Sequence, residues 1–293
     1  MRECRKGGYM YFGLAIVLIT VVGFFLLVMI RDANRFRVIE YTIISEKIIE
    51  DTNMVILSDL HNKSYGNENV KLLQSIDHLK PDAILVAGDI LTAKAGQSMK
   101  PAIHIIQKLA EKYPVHYGMG NHEYRLRLDT DKYGDMYQRY ERAMNESGVT
   151  FMINTRTFLV QSNIEVCGLE IDRDYYKKSH RPKMECAYVE AKLGKAKKDV
   201  FELMIAHNPE YFDCYADWGA DLVVSGHVHG GVMNCPFLGG VISPSFQLFP
   251  KYDGGLFKKG KSTMVLSRGL GMHTIPIRIF NPGELIMVHL RHN

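Results

Sequence analysis

The sequence predicts an α/β domain in which two packed, mixed β-sheets are flanked by helices, placed behind an N-terminal transmembrane helix. Three observations support this prediction: a long uncharged run near the N-terminus, apolar runs of strand length that alternate with helical patterns, and a later stretch of short β-like runs. The 293 residues are 46% hydrophobic and 23% charged. That composition is typical of globular proteins and excludes a disordered, collagen-like or coiled-coil chain.

Residues 7–30 form an uncharged run between basic flanks. At about 1.5 Å per residue the run would extend about 36 Å as a helix, enough to cross a hydrocarbon core of about 30 Å. A cleavable signal peptide also begins with basic residues and then becomes apolar, but its apolar part is usually only about 7–15 residues long. No A-x-A-like cleavage site precedes the charged residues 31–35. We therefore expect an uncleaved, single-pass anchor over residues 1–37.

The orientation of this anchor is poorly specified, because three basic residues lie on each side of the run. The free amino terminus favours a cytosolic N-terminus, which would place residues 38–293 outside the cytosol. Those residues carry 30 basic and 30 acidic side chains. A neutral domain without a basic stripe argues against nucleic acid as a partner, because duplex binding depends on clustered Lys and Arg. The membrane is the partner that the sequence favours.

Residues 38–293 read as one domain, without a low-complexity tract or a repeat. Four of the five cysteines lie in this domain, and their spacing leaves free thiols and two disulfides equally open. In chain order, the first half predicts strand 54–57, helix 69–80, strand 83–87, helix 101–112 and strand 114–117. Alternating strands and helices indicate a largely buried sheet.

The second half predicts mostly strands. Residues 150–171 contain three short β-like runs, as hairpins do, and buried-strand patterns follow at 202–206 and 221–225. Late runs at 262–266, 275–280 and 284–290 are expected to complete a second sheet that is more antiparallel than the first.

Polar side chains follow five of the predicted buried strands. In open α/β sheets, ligands bind beyond the carboxyl ends of strands, so we expect these side chains to share one edge. Each motif alone is more often a turn, a helix start or a polar cap than a metal site. Five such motifs in order are unlikely to arise by chance, and imidazole, carboxylate and amide groups suit Mn, Fe, Co or Zn. The motifs are Asp59-Leu60-His61-Asn62, Gly88-Asp89, Gly120-Asn121-His122-Glu123, His207-Asn208 and Gly226-His227-Val228-His229.

These five blocks resemble those of the calcineurin-like metallophosphoesterases, over about residues 38–290. The chain is also similar, on less specific cues, to the membrane-linked bacterial branch of that family, which includes enzymes that cleave UDP-2,3-diacylglucosamine in lipid A synthesis. Those cues are the segments 58–62, 229–231 with 235–236, 267–271 and 278–282. The resemblance implies an αββα sandwich and a metal-dependent phosphodiesterase or pyrophosphatase.

The resemblance also implies two divalent metal ions, most often Mn, with Zn, Fe or Co as alternatives. One ion would be held by Asp59, His61 and His229. The other would be held by Asn121, His207 and His227. Asp89 would bridge the two ions, and water held between them would lose a proton near neutral pH and attack phosphorus.

Three further residues receive expected roles. By resemblance, His122 lies outside the metal shell, contacts the phosphate with Asn121, and protonates the leaving oxygen. Glu123 is expected either to orient a ligand or simply to begin a helix. Arg268 would contact a substrate phosphate, although a surface Arg in a tight turn is equally compatible with the sequence.

The segment 236–259 follows the last motif and is rich in Gly, Pro and apolar residues. It could line a lipid-accepting groove, dip into a bilayer, or pack on its own sheet. The substrate is therefore expected to be a phosphate-containing small molecule or lipid, including a nucleotide-linked lipid or another cell-envelope phosphate. A general or cyclic-nucleotide phosphodiesterase is the alternative, and a non-catalytic scaffold is disfavoured because every block is present.

Overall fold

Two six-stranded sheets pack face to face in the part of the chain that the structure describes, and helices cover both outer faces. The structure is a computed structural model that describes residues 2–177, 180–231, 233–235, 239–242, 248–272 and 277–293. This architecture confirms the predicted fold class. The helices are α1 (Arg2–Ala33), α2 (Val70–Leu79), α3 (Lys100–Ala110), α4 (Asn121–Leu128), α5 (Thr130–Tyr133), α6 (Met136–Glu146), α7 (Cys186–Leu193) and α8 (Phe212–Trp218).

The first sheet has the order β1-β14-β2-β3-β4-β5. Its central strands run parallel from β2 to β5, whereas β14 is antiparallel to β2 and parallel to β1. The strands of this sheet are β1 (Phe36–Ser45), β2 (Thr52–Leu57), β3 (Ala83–Ala87), β4 (Val115–Gly118), β5 (Phe151–Met152) and β14 (Gly283–His292).

The second sheet has the order β12-β13-β9-β8-β7-β6. Its four inner strands are parallel, and its two edge strands are antiparallel to their neighbours. A short antiparallel pair, β10 and β11, stands apart from both sheets. These strands are β6 (Thr155–Leu159), β7 (Ile164–Leu169), β8 (Phe201–Ala206), β9 (Leu222–Ser225), β10 (Met233–Cys235), β11 (Gly239–Ile242), β12 (Gly255–Lys259) and β13 (Ser262–Leu266).

Three apolar clusters hold the layers together. The middle cluster lies between the sheets and includes Ile56 and Leu85 from the first sheet and Ile205 and Val224 from the second. Outer clusters pack α2, α3 and α6 on the first sheet, and α7 and α8 on the second. Because both faces of the inner strands are covered, these strands read as continuous apolar runs.

The second sheet is more antiparallel than the first, as predicted, with two antiparallel strand pairs against one, although its inner strands β7, β8, β9 and β13 are parallel. Two other details of the prediction are wrong. The last strand, β14, belongs to the first sheet, where it is buried between β1 and β2. Strand β5 also joins the first sheet, whereas β6 and β7 form the expected hairpin. Apolar runs predict a strand but not which of two sheets accepts it.

Two other segments complete the comparison with the sequence. Strand β1 is absent from the predictions, because it lies at a sheet edge and is only half-buried on alternate residues. The predicted strand 275–280 falls partly outside the described residues, and Ile279 forms only an isolated bridge with Met233.

Helix α1 is long and apolar enough to cross a membrane. Residues Tyr11–Ala33 have a mean hydropathy of 3.0, and their apolar side chains are largely exposed. A helix of this length and composition near the N-terminus is typical of both a membrane span and a signal sequence.

Three cysteine side chains are described, and each is a free thiol: Cys167, Cys186 and Cys214. Cys186 and Cys214 come from α7 and α8, and their sulfur atoms lie 4.0 Å apart. Cys167 is buried on β7 beside Glu202. The side chains of Cys4 and Cys235 lie outside the described part of the chain.

Candidate metal centre

Strand β2 ends in a turn that directs the Asp59 carboxylate into the space between the two sheets. Asp59 is fully buried, and both of its oxygens accept the backbone N–H of His227 at 3.1 Å. The Ser58 hydroxyl donates to the same carboxylate. Gly226 has to be a glycine here, because a Cβ would collide with Ser58 and Asp59. The carboxylate therefore joins the ends of one strand from each sheet.

Strand β3 ends in Asp89, which lies against the start of α4. One Asp89 oxygen accepts the backbone N–H of His122 at 2.7 Å. A Cβ at Gly120 would collide with this carboxylate, so the close approach of the two loops requires a glycine. The carboxylate is buried and central among the site residues.

The structure brings Asp59, His61 and His229 together; we call these the first ligand group. One ligand atom from each lies within 4.8 Å of the others. The Nε2 atoms of His61 and His229 are 3.1 Å apart, and His229 Nε2 is 3.2 Å from Asp59 Oδ1. The two imidazole rings are stacked, with centroids 5.0 Å apart. All three donor atoms converge on one point.

The structure brings His207 and His227 together beside Asp89; with the predicted ligand Asn121, we call these the second ligand group. Ligand atoms of Asp89, His207 and His227 lie within 4.8 Å of one another. His207 Nδ1 donates to the carbonyl of Ala87 at 2.6 Å, so in the neutral ring Nε2, 3.2 Å from Asp89 Oδ2, carries the lone pair that a metal ion would need. Asn121 begins α4, and its buried Oδ1 has no hydrogen-bond partner among the described residues.

Several of the site residues occupy the left-handed region of backbone space. This conformation costs about 1–3 kcal/mol for each non-glycine residue and is concentrated at functional sites. Of the seven predicted ligands, those with φ between 51° and 75° are Asp59, His61, Asp89, His227 and His229. These left-handed residues lie in the turns that follow β2, β3 and β9.

The buried charges perturb each other strongly. Burial alone would raise the pKa of Asp59, but His229 and His207 hold that pKa below its usual range. Although burial opposes it, the Asp89 carboxylate raises the pKa of His207 to about 10. Burial and the neighbouring His207 lower the pKa of His227 to about 3. Two carboxylates in such a small space favour a compensating positive charge.

Glu123 supports the Asp89 loop and does more than begin a helix. Its fully buried carboxylate accepts the backbone N–H groups of Asp89 and Ile90 at 2.9 Å and that of Gly120 at 3.1 Å. The Tyr117 hydroxyl donates to it at 2.9 Å. Burial and the charge of Asp89 raise the pKa of Glu123 to about 7. Glu123 therefore both caps the start of α4, through Gly120, and orients the Asp89 loop.

His122 lies at the mouth of the cluster. Its Nδ1 accepts the backbone N–H of Ala93 at 2.8 Å, so the neutral ring carries its proton on Nε2. That Nε2 is 4.0 Å from Asp89 Oδ2, and the ring meets His61 edge-on at 4.8 Å between centroids. His122 therefore presents an N–H group to the space beside Asp89.

The structure places Arg268 differently from the metal-site residues. Its Nε lies 3.6 Å from Glu284 Oε1, and its backbone N–H donates to Glu284 Oε2 at 3.2 Å. Among the described residues, its side chain packs against Gly230 and Gly254. These contacts hold Arg268 within its own turn. Among the described residues, they include none of the seven predicted ligands.

The apolar segment 236–259 is described only in part, because residues 236–238 and 243–247 lie outside the described residues. Leu248 and Phe249 are exposed, by 67% and 63%, whereas Tyr252 is buried against the second sheet. The segment thus has both an exposed apolar part and a part that packs as core.

Two supporting residues carry no role in the sequence analysis. The Asn281 amide donates to the carbonyl of His229 at 2.7 Å and to that of Gly231 at 2.9 Å. Tyr176 meets the His227 ring edge-on at 5.3 Å between centroids. Neither follows a buried strand, so a search of strand ends does not find them. In the sequence, the Pro282 that follows Asn281 is a weak signal for this residue. Its burial is seen in the structure.

The sequence matches known proteins in agreement with this geometry. Residues 52–231 match the calcineurin-like phosphoesterase family. The chain is 26% identical to the uncharacterized metallophosphoesterase YkuE of Bacillus subtilis, over 99% of this chain and 97% of that protein. It is 25% identical to the phosphodiesterase YaeI of Escherichia coli, over 66% and 64%.

A third relative is the UDP-2,3-diacylglucosamine pyrophosphatase LpxG of Chlamydia muridarum. It is 22% identical over 80% of this chain and 82% of that protein. The family match covers more than half of the chain and includes all five predicted motifs. The chain therefore belongs to the calcineurin-like phosphoesterases and is a metal-dependent phosphoester hydrolase.

Proposed function

We propose that this protein hydrolyses a phosphoester or pyrophosphate bond with two divalent metal ions, one in each ligand group. The observation that carries the proposal is the overlap of the donor sets. Asp59, His61 and His229 form one set, and His207 and His227 form another with Asp89. Asp89 also groups with His61, so its carboxylate lies between the two sets and is suited to bridge two ions.

The donor set fits such ions. Imidazole nitrogens and carboxylate oxygens suit borderline divalent metals, and we propose Mn, with Zn, Fe or Co as alternatives. The buried Asn121 Oδ1, which has no hydrogen-bond partner among the described residues, would complete the second group. When bound, the ions would supply Lewis acidity, which lowers the pKa of water and offsets charge on the phosphate oxygens.

The chain itself orients these groups before substrate binds. The Ala87 carbonyl fixes the tautomer of His207, and the N–H of His227 fixes the Asp59 carboxylate. The Glu123 carboxylate accepts the backbone N–H of Asp89 and so fixes the Asp89 loop. A site arranged in advance in this way needs little reorganisation during the reaction.

His122 is the proposed proton donor to the leaving oxygen, a role that requires the imidazolium form of its ring. Its Nε2 faces the space beside Asp89, where the phosphate would lie, and in the neutral ring Nδ1 accepts the N–H of Ala93. Asn121, next to it in the chain, would contact the same phosphate. Arg268 stays a weaker proposal, because its guanidinium is held beside Glu284.

We also propose that α1 anchors the protein in a membrane, with residues 38–293 as the catalytic domain outside the cytosol. The support is the apolar length of α1 and the absence of an A-x-A-like site before residue 31. A lipid-linked or cell-envelope phosphate is the proposed substrate. One relative is named for a pyrophosphatase of an acylated nucleotide sugar and another for a phosphodiesterase, which leaves a polar phosphodiester as the alternative.

The test is metal-dependent hydrolysis by the full chain in detergent. The protein is stripped of metal and then given Mn, Zn, Co or Mg with a nitrophenyl monoester, a bis-nitrophenyl diester or a UDP-linked acyl sugar. We expect turnover to return with a divalent ion at two ions per chain. A protein that binds two ions but hydrolyses none of these substrates would favour a scaffold over an enzyme.

A further inference from the structure

The C-terminal end of α1 is docked onto the loop that supports the first ligand group. Asp32, in the last turn of α1, is only 1% exposed. One of its oxygens accepts the backbone N–H of Asn281 at 3.0 Å, and the other pairs with Arg35 at 2.8 Å. An acidic residue at a helix C-terminus is disfavoured by the helix dipole. The contact with Asn281 gives this unfavourable position a structural reason.

Asn281 connects this docking to the metal centre. Its side-chain amide donates to the carbonyl oxygens of His229 and Gly231. Asn281 therefore connects Asp32 to His229, because its backbone N–H donates to Asp32 and its side-chain amide donates to the His229 carbonyl. The first ligand group lies close to the end of α1.

The domain also covers one face of α1 well before that end. Phe24 and Phe25 contact the ring of Phe280, with centroids 6.4 Å and 6.3 Å apart. The partly or fully covered positions of the last turns are Phe25, Val28, Met29, Asp32 and Ala33. Their spacing of three and four residues is that of a single helical face. The contact is thus a packed seam along the helix.

The depth of this seam can be read from the helix rise. The uncharged run ends at Ile30, and Phe25 lies five residues before it. At about 1.5 Å per residue, the Phe280 contact lies about 7 Å inside the apolar run. If α1 crosses a membrane, its position there brings Phe280 into the apolar layer as well.

We infer that the rim of the catalytic site, formed by residues 277–282, is seated in the membrane leaflet next to α1, and that the substrate is a phosphoester of a membrane lipid. The geometry behind this inference is the Asp32–Asn281–His229 connection together with the Phe24–Phe25–Phe280 seam. The assignment of the substrate rests on the proposed phosphoesterase function, whereas the placement of the rim in the leaflet does not.

The chemistry at this rim fits a lipid phosphate. The apolar seam lies on one side of Asn281 and the donor atoms of the first ligand group lie on the other. A phospholipid has the same arrangement, because its acyl chains lie below a phosphate at the interface. Exposed Arg31 lies at the same level of α1 and would attract anionic headgroups. A site held at the level of the membrane interface would give no binding advantage to a soluble phosphoester.

The placement is tested by fluorescence quenching with the full chain in phosphatidylcholine vesicles that contain acyl-brominated lipid. Phe280→Trp reports the rim, Phe24→Trp reports α1, and Phe158→Trp reports the far, partly exposed edge strand β6. The wild-type protein, whose one tryptophan is buried Trp218, supplies the background. We expect strong quenching at Phe280→Trp and Phe24→Trp, and none at Phe158→Trp. Absence of quenching at Phe280→Trp overturns the placement, whether or not α1 is quenched.

The substrate class is tested with two diesters that share one leaving group. Phosphatidyl-nitrophenol in the same vesicles is compared with soluble bis-nitrophenyl phosphate. We expect the wild-type protein to favour the lipid, and Phe280→Ser to lower lipid turnover about tenfold more than it lowers turnover of the soluble diester. Equal wild-type rates on both diesters, or equal loss on both in Phe280→Ser, would overturn the lipid assignment. Loss of all hydrolysis would instead reject the phosphoesterase, and the quenching result would still stand.

Discussion

The two ligand groups are built in different ways, although Asp89 lies beside both. The first group depends on turns: Asp59, His61 and His229 all have left-handed backbone angles, and Asn281 holds His229 from a distant loop. The second group follows regular elements more closely. His207 comes directly after β8 and Asn121 begins α4, and neither has a positive φ, whereas His227 does. Every member of the first group thus lies in a left-handed turn, whereas in the second group only His227 does.

The difference has an energetic consequence. Left-handed residues persist only where surrounding contacts compensate a cost of about 1–3 kcal/mol each. Removing a support of the first group should therefore release strained turns, whereas removing the support of His207 in the second group should leave its strand end in place. The following predictions use this contrast, beginning with Asp89, which lies beside both groups.

Replacing Asp89 should have the largest effect, because its carboxylate lies beside members of both groups. We expect Asp89→Ala to lose both metal ions and about 10³-fold or more in activity, since the Lewis acidity of the ions contributes several kcal/mol. The measurement is metal content by mass spectrometry together with turnover of a diester. Asp82→Ala is a matched control, because Asp82 precedes the same strand and only accepts the N–H of Asn53. An active, metal-free Asp89→Ala protein would contradict the two-metal assignment.

Replacing His122 should separate catalysis from metal binding. We expect His122→Ala to keep both ions and to lose about 10²–10⁴-fold in turnover of esters with poor leaving groups, as for a general acid. The loss should be much smaller with a nitrophenol leaving group, which needs no proton. A rate profile across leaving groups measures this. Unchanged rates on alkyl esters would remove His122 from the mechanism, and loss of a metal ion would make it a ligand instead.

Glu123→Gln should weaken the shared Asp89 loop without removing a ligand. Both carboxylate oxygens accept hydrogen bonds from N–H or O–H donors, so either orientation of an amide would set its NH₂ group against donors. We expect metal affinity to fall about 10–100-fold, and the free energy of unfolding to fall by about 1–3 kcal/mol. Chelator titration and denaturant unfolding measure the two quantities. Glu146→Gln, at the exposed end of α6, is the control and should change neither.

Much of this architecture is predictable from the sequence. Buried runs such as Ala83–Ala87 mark their strands correctly, and the polar residues that follow them meet at one site. The partner of each strand is not predictable, because β14 returns from the end of the chain to the middle of the first sheet. Glu123 illustrates the limit for single residues. Its type fits a helix start, and only its burial under Asp89 shows that it accepts four hydrogen bonds.

Asn281 and Asn208 offer the finest test, because each supports one ligand group. Asn281 holds His229, whereas Asn208 follows His207, caps the next turn through Glu210 and donates to the Tyr175 carbonyl. We expect Asn281→Ala to weaken metal binding about tenfold and Asn208→Ala to weaken it less, because Asn281 supports the left-handed His229 whereas His207 is not left-handed. Chelator titrations measure both affinities.

A double-mutant cycle shows whether each asparagine acts through its own group. The effect of Asn281→Ala on metal binding should disappear in a His229→Ala background, where the first group is already broken. It should persist in a His207→Ala background, where the first group is intact. Equal effects in both backgrounds would mean that the two groups respond as one unit through Asp89. The backbone strain of the turns would then not explain the difference in metal affinity between Asn281→Ala and Asn208→Ala.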